Sequence, residues 1–232
     1  MVRYIDLTLP IEEGMPVWPG DQGPEFREVT SLEQDGYAVQ TICFSNHLGT
    51  HLDAPSHVIK GGITLDRVPL ETLIGKAAIL DFTDKGKNER ITREELQPHG
   101  DILYQGARVL IRTGWDSQYG SSSFFRDFPC LTPEAARILA ERGIALLGMD
   151  TPSPSPIDDP EQSIHKTLLG AGIVLLEGLT NLHLINGNEC ELIVLPPLFS
   201  GFSGSPCRVV AIEKDFSEMA AEEAAQDREN PR

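Results

Sequence analysis

Apolar and β-branched residues occur along this chain in short runs bounded by glycine, proline or polar clusters. Runs of about four to eight residues with that punctuation are the signature of strands. They predict strands over 4–7, 37–44, 77–82, 108–111, 146–149, 172–176, 191–195 and 208–212. In the second of these, Tyr37, Val39, Thr41 and Cys43 fall on one face of an extended chain. Helix signals are fewer. Thr132-Pro133-Glu134 opens the clearest helix, because threonine can cap, proline suits the first turn, and Gly143 can stop it. Thr92 and Glu95 have the spacing of a capping box. Few helices for so many strands predicts an α/β domain with a β-rich, barrel-like core and flanking helices.

Length and charge narrow the class. The 232 residues suit one compact domain, expected over 1–213, with an acidic C-terminal tail or short helix over 214–232. The interior has no low-complexity linker and no internal repeat. A formal charge of −16 repels nucleic-acid phosphates, and no basic stripe interrupts it, so no nucleic-acid partner is expected. Neither a run of about 18 apolar residues nor a basic, apolar leader at the start argues for a membrane or for export, and a cytoplasmic protein is expected. Cys43, Cys130, Cys190 and Cys207 are dispersed without a C-x-x-C pair, which suits free thiols.

The candidate chemistry is concentrated in one segment. His47-Leu48-Gly49-Thr50-His51-Leu52-Asp53-Ala54-Pro55-Ser56-His57 holds three of the chain's six histidines and an aspartate. Neutral imidazole and carboxylate hold zinc, manganese or iron at neutral pH, and both also move protons. In a straight strand His47 and His51 would lie roughly 13 Å apart, too far for metal bonds of about 2.1 Å to converge on one ion. Gly49 and Pro55 disfavour a continuous helix. A bent loop just after the 37–44 strand is therefore the expected carrier. Thr50 and Ser56 could orient the ligands or satisfy loop backbone groups. Lone histidines such as His99 and His183 carry no such expectation.

The pattern H-x-G-T-H-x-D-x-P-x-H over residues 47–57 resembles the signature of the cyclase-like metal-dependent hydrolases, which include bacterial kynurenine formamidases and isatin hydrolases. Seven fixed residues at fixed spacing make the match specific. The likeness continues through Gly14-Met15-Pro16-Val17-Trp18-Pro19-Gly20, Arg112-Thr113-Gly114-Trp115, Gly148-Met149-Asp150-Thr151-Pro152-Ser153, Leu176-Glu177-Gly178-Leu179 and the block beginning Glu191-Leu192, in the family's order. The resemblance implies a swivelling β/β/α fold and two divalent metal ions, zinc first and manganese as the other candidate. It implies His47, His51 and Asp53 at the first ion, Asp53 and Glu177 as bridging carboxylates, His165 at the second ion, and His57 as proton donor and acceptor. It also implies a homodimer or homotetramer.

Glu177 has a physical rationale of its own. It ends the apolar run Gly172-Ile173-Val174-Leu175-Leu176, and an acid at the end of a buried strand is destabilising unless it is paired or bound to a cation. The alternative is that Glu177 already faces water where Gly178 begins a turn.

The expected chemistry follows from these groups. Two ions about 3.5 to 4 Å apart lower the pKa of a shared water toward about 7 and polarise a carbonyl, and the hydroxide so formed would attack an amide carbon. His57 would take a proton from the water and return it to the departing nitrogen. Trp18 would stack against the aromatic ring of a small amide substrate, or else anchor its loop on the core. Phe44, Trp115, Phe124 and Phe125 could add walls, although aromatic residues are more often core. The leading expectation is an arylformamidase acting on N-formyl-L-kynurenine or a related aryl formamide. An isatin-like lactam hydrolase, a metal-dependent cyclase or dehydratase, and a non-catalytic metal-binding scaffold are the alternatives. The proline-rich stretch Ser153-Pro154-Ser155-Pro156 reads as a stiff loop that returns His165 toward the site.

Overall fold

The structure, a computed structural model, describes residues 2–214. Thirteen strands and five α-helices follow one another as β1 (Val2–Asp6), β2 (Glu25–Thr30), α1 (Leu32–Asp35), β3 (Val39–Cys43), β4 (His51–Asp53), α2 (Leu70–Leu73), β5 (Ile74–Asp81), β6 (Arg90–Ile91), α3 (Arg93–Leu96), β7 (Arg108–Arg112), β8 (Cys130–Leu131), α4 (Pro133–Arg142), β9 (Leu146–Met149), α5 (Ser163–Gly170), β10 (Val174–Glu177), β11 (Glu189–Leu195), β12 (Gly204–Pro206) and β13 (Arg208–Lys214). Each strand expected from the sequence is present, with its ends shifted by at most a few residues. The expected tail after Lys214 lies outside the described residues.

Nine strands form one mixed sheet in the order β1-β13-β11-β5-β7-β9-β10-β4-β12. Strands β5, β7, β9 and β10 run parallel, and the flanking strands are antiparallel. The sheet must curl, because β12 at one end of that order leads through Cys207 alone into β13, next to the other end. Hydrogen bonds tie the two ends together: Leu9 N–H, beyond β1, donates to Thr50 Oγ1 before β4, and Thr180 N–H, beyond β10, donates to Leu7 O. This is the barrel-like α/β core that the strand-rich pattern predicts.

The central strands are buried on both faces, as parallel strands require. Leu110, Leu146 and Leu176 pack inside the curl with Leu52, Ile79 and Val194. Their neighbours in sequence, Val109, Leu147 and Leu175, turn outward to a second cluster with Ala135 and Leu139 of α4 and Leu168 of α5. Helix α4 forms as its sequence dictates. The Thr132 hydroxyl accepts from Ala135 N–H, and Gly143 closes the helix with φ 67 and bonds to Leu139 O and Ala140 O. The Thr92–Glu95 capping box is also present at α3. No helix among the described residues is long and apolar enough to cross a membrane. All four cysteines are free.

One strand departs from expectation. β3 does not join the barrel but pairs with β2 in a separate two-stranded arm, and every one of its residues is exposed. The one-faced pattern of Tyr37, Val39, Thr41 and Cys43 therefore marks no buried face: Tyr37 is 59% exposed and Val39 43%. Periodicity reports that a strand is extended, and the partner that would bury it is a tertiary matter.

Candidate active site

His51 and Asp53 lie in β4 itself, which corrects the expectation of a bent loop for the whole segment. Period-two alternation puts both side chains on one face and Leu52 on the other, in the core inside the curl. His47 alone needs a bend. The turn-rich stretch between β3 and β4 folds it back, so that His47 Nδ1 lies 2.6 Å from Asp53 Oδ1. The spacing argument holds only for a straight chain from 47 to 51, and the bend falls before His51.

Strand register brings in the next acid. β10 runs antiparallel to β4 with Glu177 opposite His51 and Leu175 opposite Asp53. His51 Nε2 stands 3.4 Å from Asp53 Oδ1 and 3.5 Å from Glu177 Oε2. Glu177 is 5% exposed, so its carboxylate is in the site and does not face water beyond the strand. His165, in the first turn of α5, places Nε2 3.2 Å from Glu177 Oε1 and 3.9 Å from Asp53 Oδ2. His57 stacks on His47 with ring centroids 4.0 Å apart and faces His165 at 6.1 Å.

These distances fit a cation-binding centre. Ligand atoms of His51, Asp53 and Glu177 all lie within 4.8 Å of one another, as do those of His47, Asp53 and His57. Two carboxylates buried together cost several kcal/mol each unless positive charge compensates them, and among the described residues their ion-pair partners are histidines only. The field of the site is correspondingly strong. Burial alone would lower the pKa of His51, yet Asp53 and Glu177 raise it to about 9. His165 is raised against burial by Glu177 and Asp53. Burial would raise the pKa of Asp53, but hydrogen bonds from His47 and His51 hold it well below the usual carboxylate range. His57 behaves oppositely: burial lowers it to about 4, with Asp53 opposing and His47 and His165 assisting. The donor set of imidazole and carboxylate is that of zinc, manganese or iron.

The outer contacts of the cluster are equally specific. Ser155 Oγ lies 2.7 Å from His165 Nδ1, which fixes that ring and ties it to the proline-containing loop. His51 Nδ1 lies 3.0 Å from Gly49 O, and His47 Nε2 lies 3.3 Å from Ser203 Oγ. Thr50 serves the backbone: its hydroxyl donates to Gly178 O and accepts from Leu9 N–H. Ser56 Oγ has no partner. Gly204, opposite Asp53 in β12, leaves room for His47, since a Cβ there would stand 2.5 Å from His47 Cε1. Ser203 and Gly204 carried no signal in the sequence, lying 156 residues or more from the His47 they support.

A cavity of about 290 Å³ opens over this cluster, and His47, His51, Asp53, His57, His165, Glu177 and Trp18 all line it. Trp18 lines the cavity and also meets Phe125 edge-on, with centroids 6.0 Å apart. Phe124 and Phe125 are walls, but Trp115 is core and Phe44 is not part of the lining. Tyr119 and Asp21 complete the wall without having stood out in the sequence. His99 and His183 lie outside it.

Comparison with known proteins agrees with this geometry. The family described as "Putative cyclase" matches residues 5–156. The kynurenine formamidase of Bacillus mycoides (strain KBAB4) is 34% identical over 211 residues, covering 90% of this chain and 96% of that protein. The kynurenine formamidase of Bacillus cereus (strain ZK / E33L) is 35% identical over the same length and coverage. Isatin hydrolase A from Labrenzia aggregata, solved bound to benzyl benzoate, superposes with a TM-score of 0.81 at 28% identity, covering 91% of this chain and 93% of that one. The chain belongs to the cyclase-like family of metal-dependent hydrolases. It is an enzyme of the class that hydrolyses carbon–nitrogen amide bonds other than peptide bonds.

Proposed function

We propose that this enzyme is an arylformamidase acting on N-formyl-L-kynurenine or a related small aryl formamide. The observation that carries the proposal is the convergence of His47, His51, Asp53, His165 and Glu177 beneath an aromatic-walled cavity, with His57 stacked against the cluster. In this reading His47, His51 and Asp53 would hold one divalent ion and His165 and Glu177 a second, with both carboxylates available to either. Bound zinc or manganese supplies Lewis acidity toward a carbonyl oxygen and lowers the pKa of water toward about 7.

The chain's own residues do the rest. His57 takes a proton from the attacking water on a ring nitrogen and delivers it to the nitrogen of the departing aryl amine, a transfer worth about 10²- to 10⁴-fold in rate. Trp18, Phe124 and Phe125 pack on the aryl ring, exclude water and leave the small formyl group toward the histidines. Ser155 keeps the His165 ring oriented through the cycle. The family's oligomeric habit extends this reading to a homodimer or homotetramer.

The test is formate release from N-formyl-L-kynurenine by metal-loaded protein, with isatin ring opening measured beside it. Turnover of the formamide well above that of isatin supports the assignment. The reverse order, favoured by the structural likeness to isatin hydrolase A, would move the substrate class to cyclic amides.

A further inference from the structure

We propose that Asp21 makes this cavity selective for aryl amides that carry a cationic amine, a specificity that rests on the aryl-amide reading above. Asp21 lies on the cavity wall, three residues after Trp18. The two are held as one unit, because Asp21 N–H donates to Trp18 O at 3.0 Å around Pro19 and Gly20. Gly20 takes φ 100, the conformation this kind of turn requires of its third residue. The ring that packs on a substrate and the carboxylate that can read its charge thus move together, and Trp18 is itself braced by Phe125 and Phe128.

The charge pattern of the wall points to a cation. Asp21 is an exposed residue of the cavity lining, and its carboxylate has no hydrogen bond or ion pair among the described residues. None of the residues lining the cavity is lysine or arginine. Asp53 and Glu177, the other acids there, are buried among the histidines at the base, so Asp21 is the acid left for a ligand among the described lining residues. A substrate bearing only a negative group finds no cation beside it. An ammonium finds a carboxylate, and the faces of Trp18 and Tyr119 add cation–π attraction. The formal charge of −16 adds a general field of the same sign.

The test is isothermal titration of metal-loaded protein with 2-phenylethylamine and with its neutral counterpart 2-phenylethanol, in wild type and Asp21→Asn. Wild type is expected to bind the amine about tenfold more tightly, the size of a charge-assisted hydrogen bond at a partly exposed rim, and Asp21→Asn to lose most of that preference. In kinetics, the ratio of kcat/KM for N-formyl-L-kynurenine to that for formanilide should fall about tenfold in Asp21→Asn, through KM. Equal binding of amine and alcohol by wild type, or an undiminished preference in Asp21→Asn, would overturn the proposal. Wild-type turnover of formanilide reports separately on amide hydrolysis: its absence would remove that reading while the binding comparison still decides the role of Asp21.

Discussion

His51 and Glu177 are register partners across the antiparallel β4–β10 pair, and His51 Nε2 stands 3.5 Å from Glu177 Oε2. The site therefore takes its accuracy from a hydrogen-bonded sheet. A slip of one residue between these strands would send either side chain to the opposite face, into the core beside Leu52 and Leu176, where a charge has no partner. The buried apolar residues that fix the register also fix the positions of the proposed ligands.

His57 touches the cluster through the face of His47 and has no direct hydrogen bond to either carboxylate. Its replacement should remove proton transfer and spare the ions. We expect His57→Ala to lose about 10²- to 10⁴-fold in kcat with metal content unchanged by elemental analysis. Full turnover in that variant would assign the proton to another group.

Gly204 is a packing requirement of the metal centre. A Cβ there would stand 2.5 Å from His47 Cε1 and 2.6 Å from Leu52 O, so the imidazole or the strand must shift. Gly204→Ala should weaken metal affinity by about 10- to 100-fold, the range for a disturbed support of a ligand. A competition titration against a chelating dye measures it.

Asp150 is buried and lies outside the cavity lining. Burial pushes its pKa up to about 7, against hydrogen bonds from Thr113 and Gly114 that hold it down. Thr113 Oγ1 donates at 2.6 Å and Gly114 N–H at 2.7 Å, so the carboxylate staples the loop after β7 to the end of β9. Asp150→Asn would turn an amide NH₂ toward these donors. We expect a loss of about 1–3 kcal/mol, read as a lower urea midpoint at constant slope.

The cysteines make a simpler prediction. Burial pushes the Cys130 thiol up to about 11 and Cys190 to about 12, and raises Cys207 as well, so the reactive thiolate is scarce at pH 8. Cys43 is exposed on β3. One thiol per native chain should react rapidly with a disulfide reagent, and four after denaturation. More than one fast thiol in the native protein would contradict the packing.

Much of this was legible in the sequence, for physical reasons. The strands could be read because each is a short apolar run, and β9 and α4 are bounded as their residues indicate. The histidine segment stood out because its donors are close in sequence. What remained hidden depends on long-range contact. Nothing local tells that Ser203 and Gly204 meet His47, or that Asp21 and Tyr119 share a wall with Phe125. β4 was missed as a strand because His51 and Asp53 are polar residues on a buried face, a pattern that hydrophobic periodicity counts against. Strand β3 shows the converse, a sound strand pattern without a buried face, and its partner β2 was not expected from the sequence.

The most direct measurement strips the protein with a chelator, adds zinc back stepwise, and follows metal per chain together with formate release from N-formyl-L-kynurenine. We expect no turnover in the stripped protein and recovery that saturates at two ions per chain, with Glu177→Gln failing to reach that stoichiometry. Turnover that survives complete removal of metal, or saturation at two ions in Glu177→Gln with full activity, would contradict that expectation.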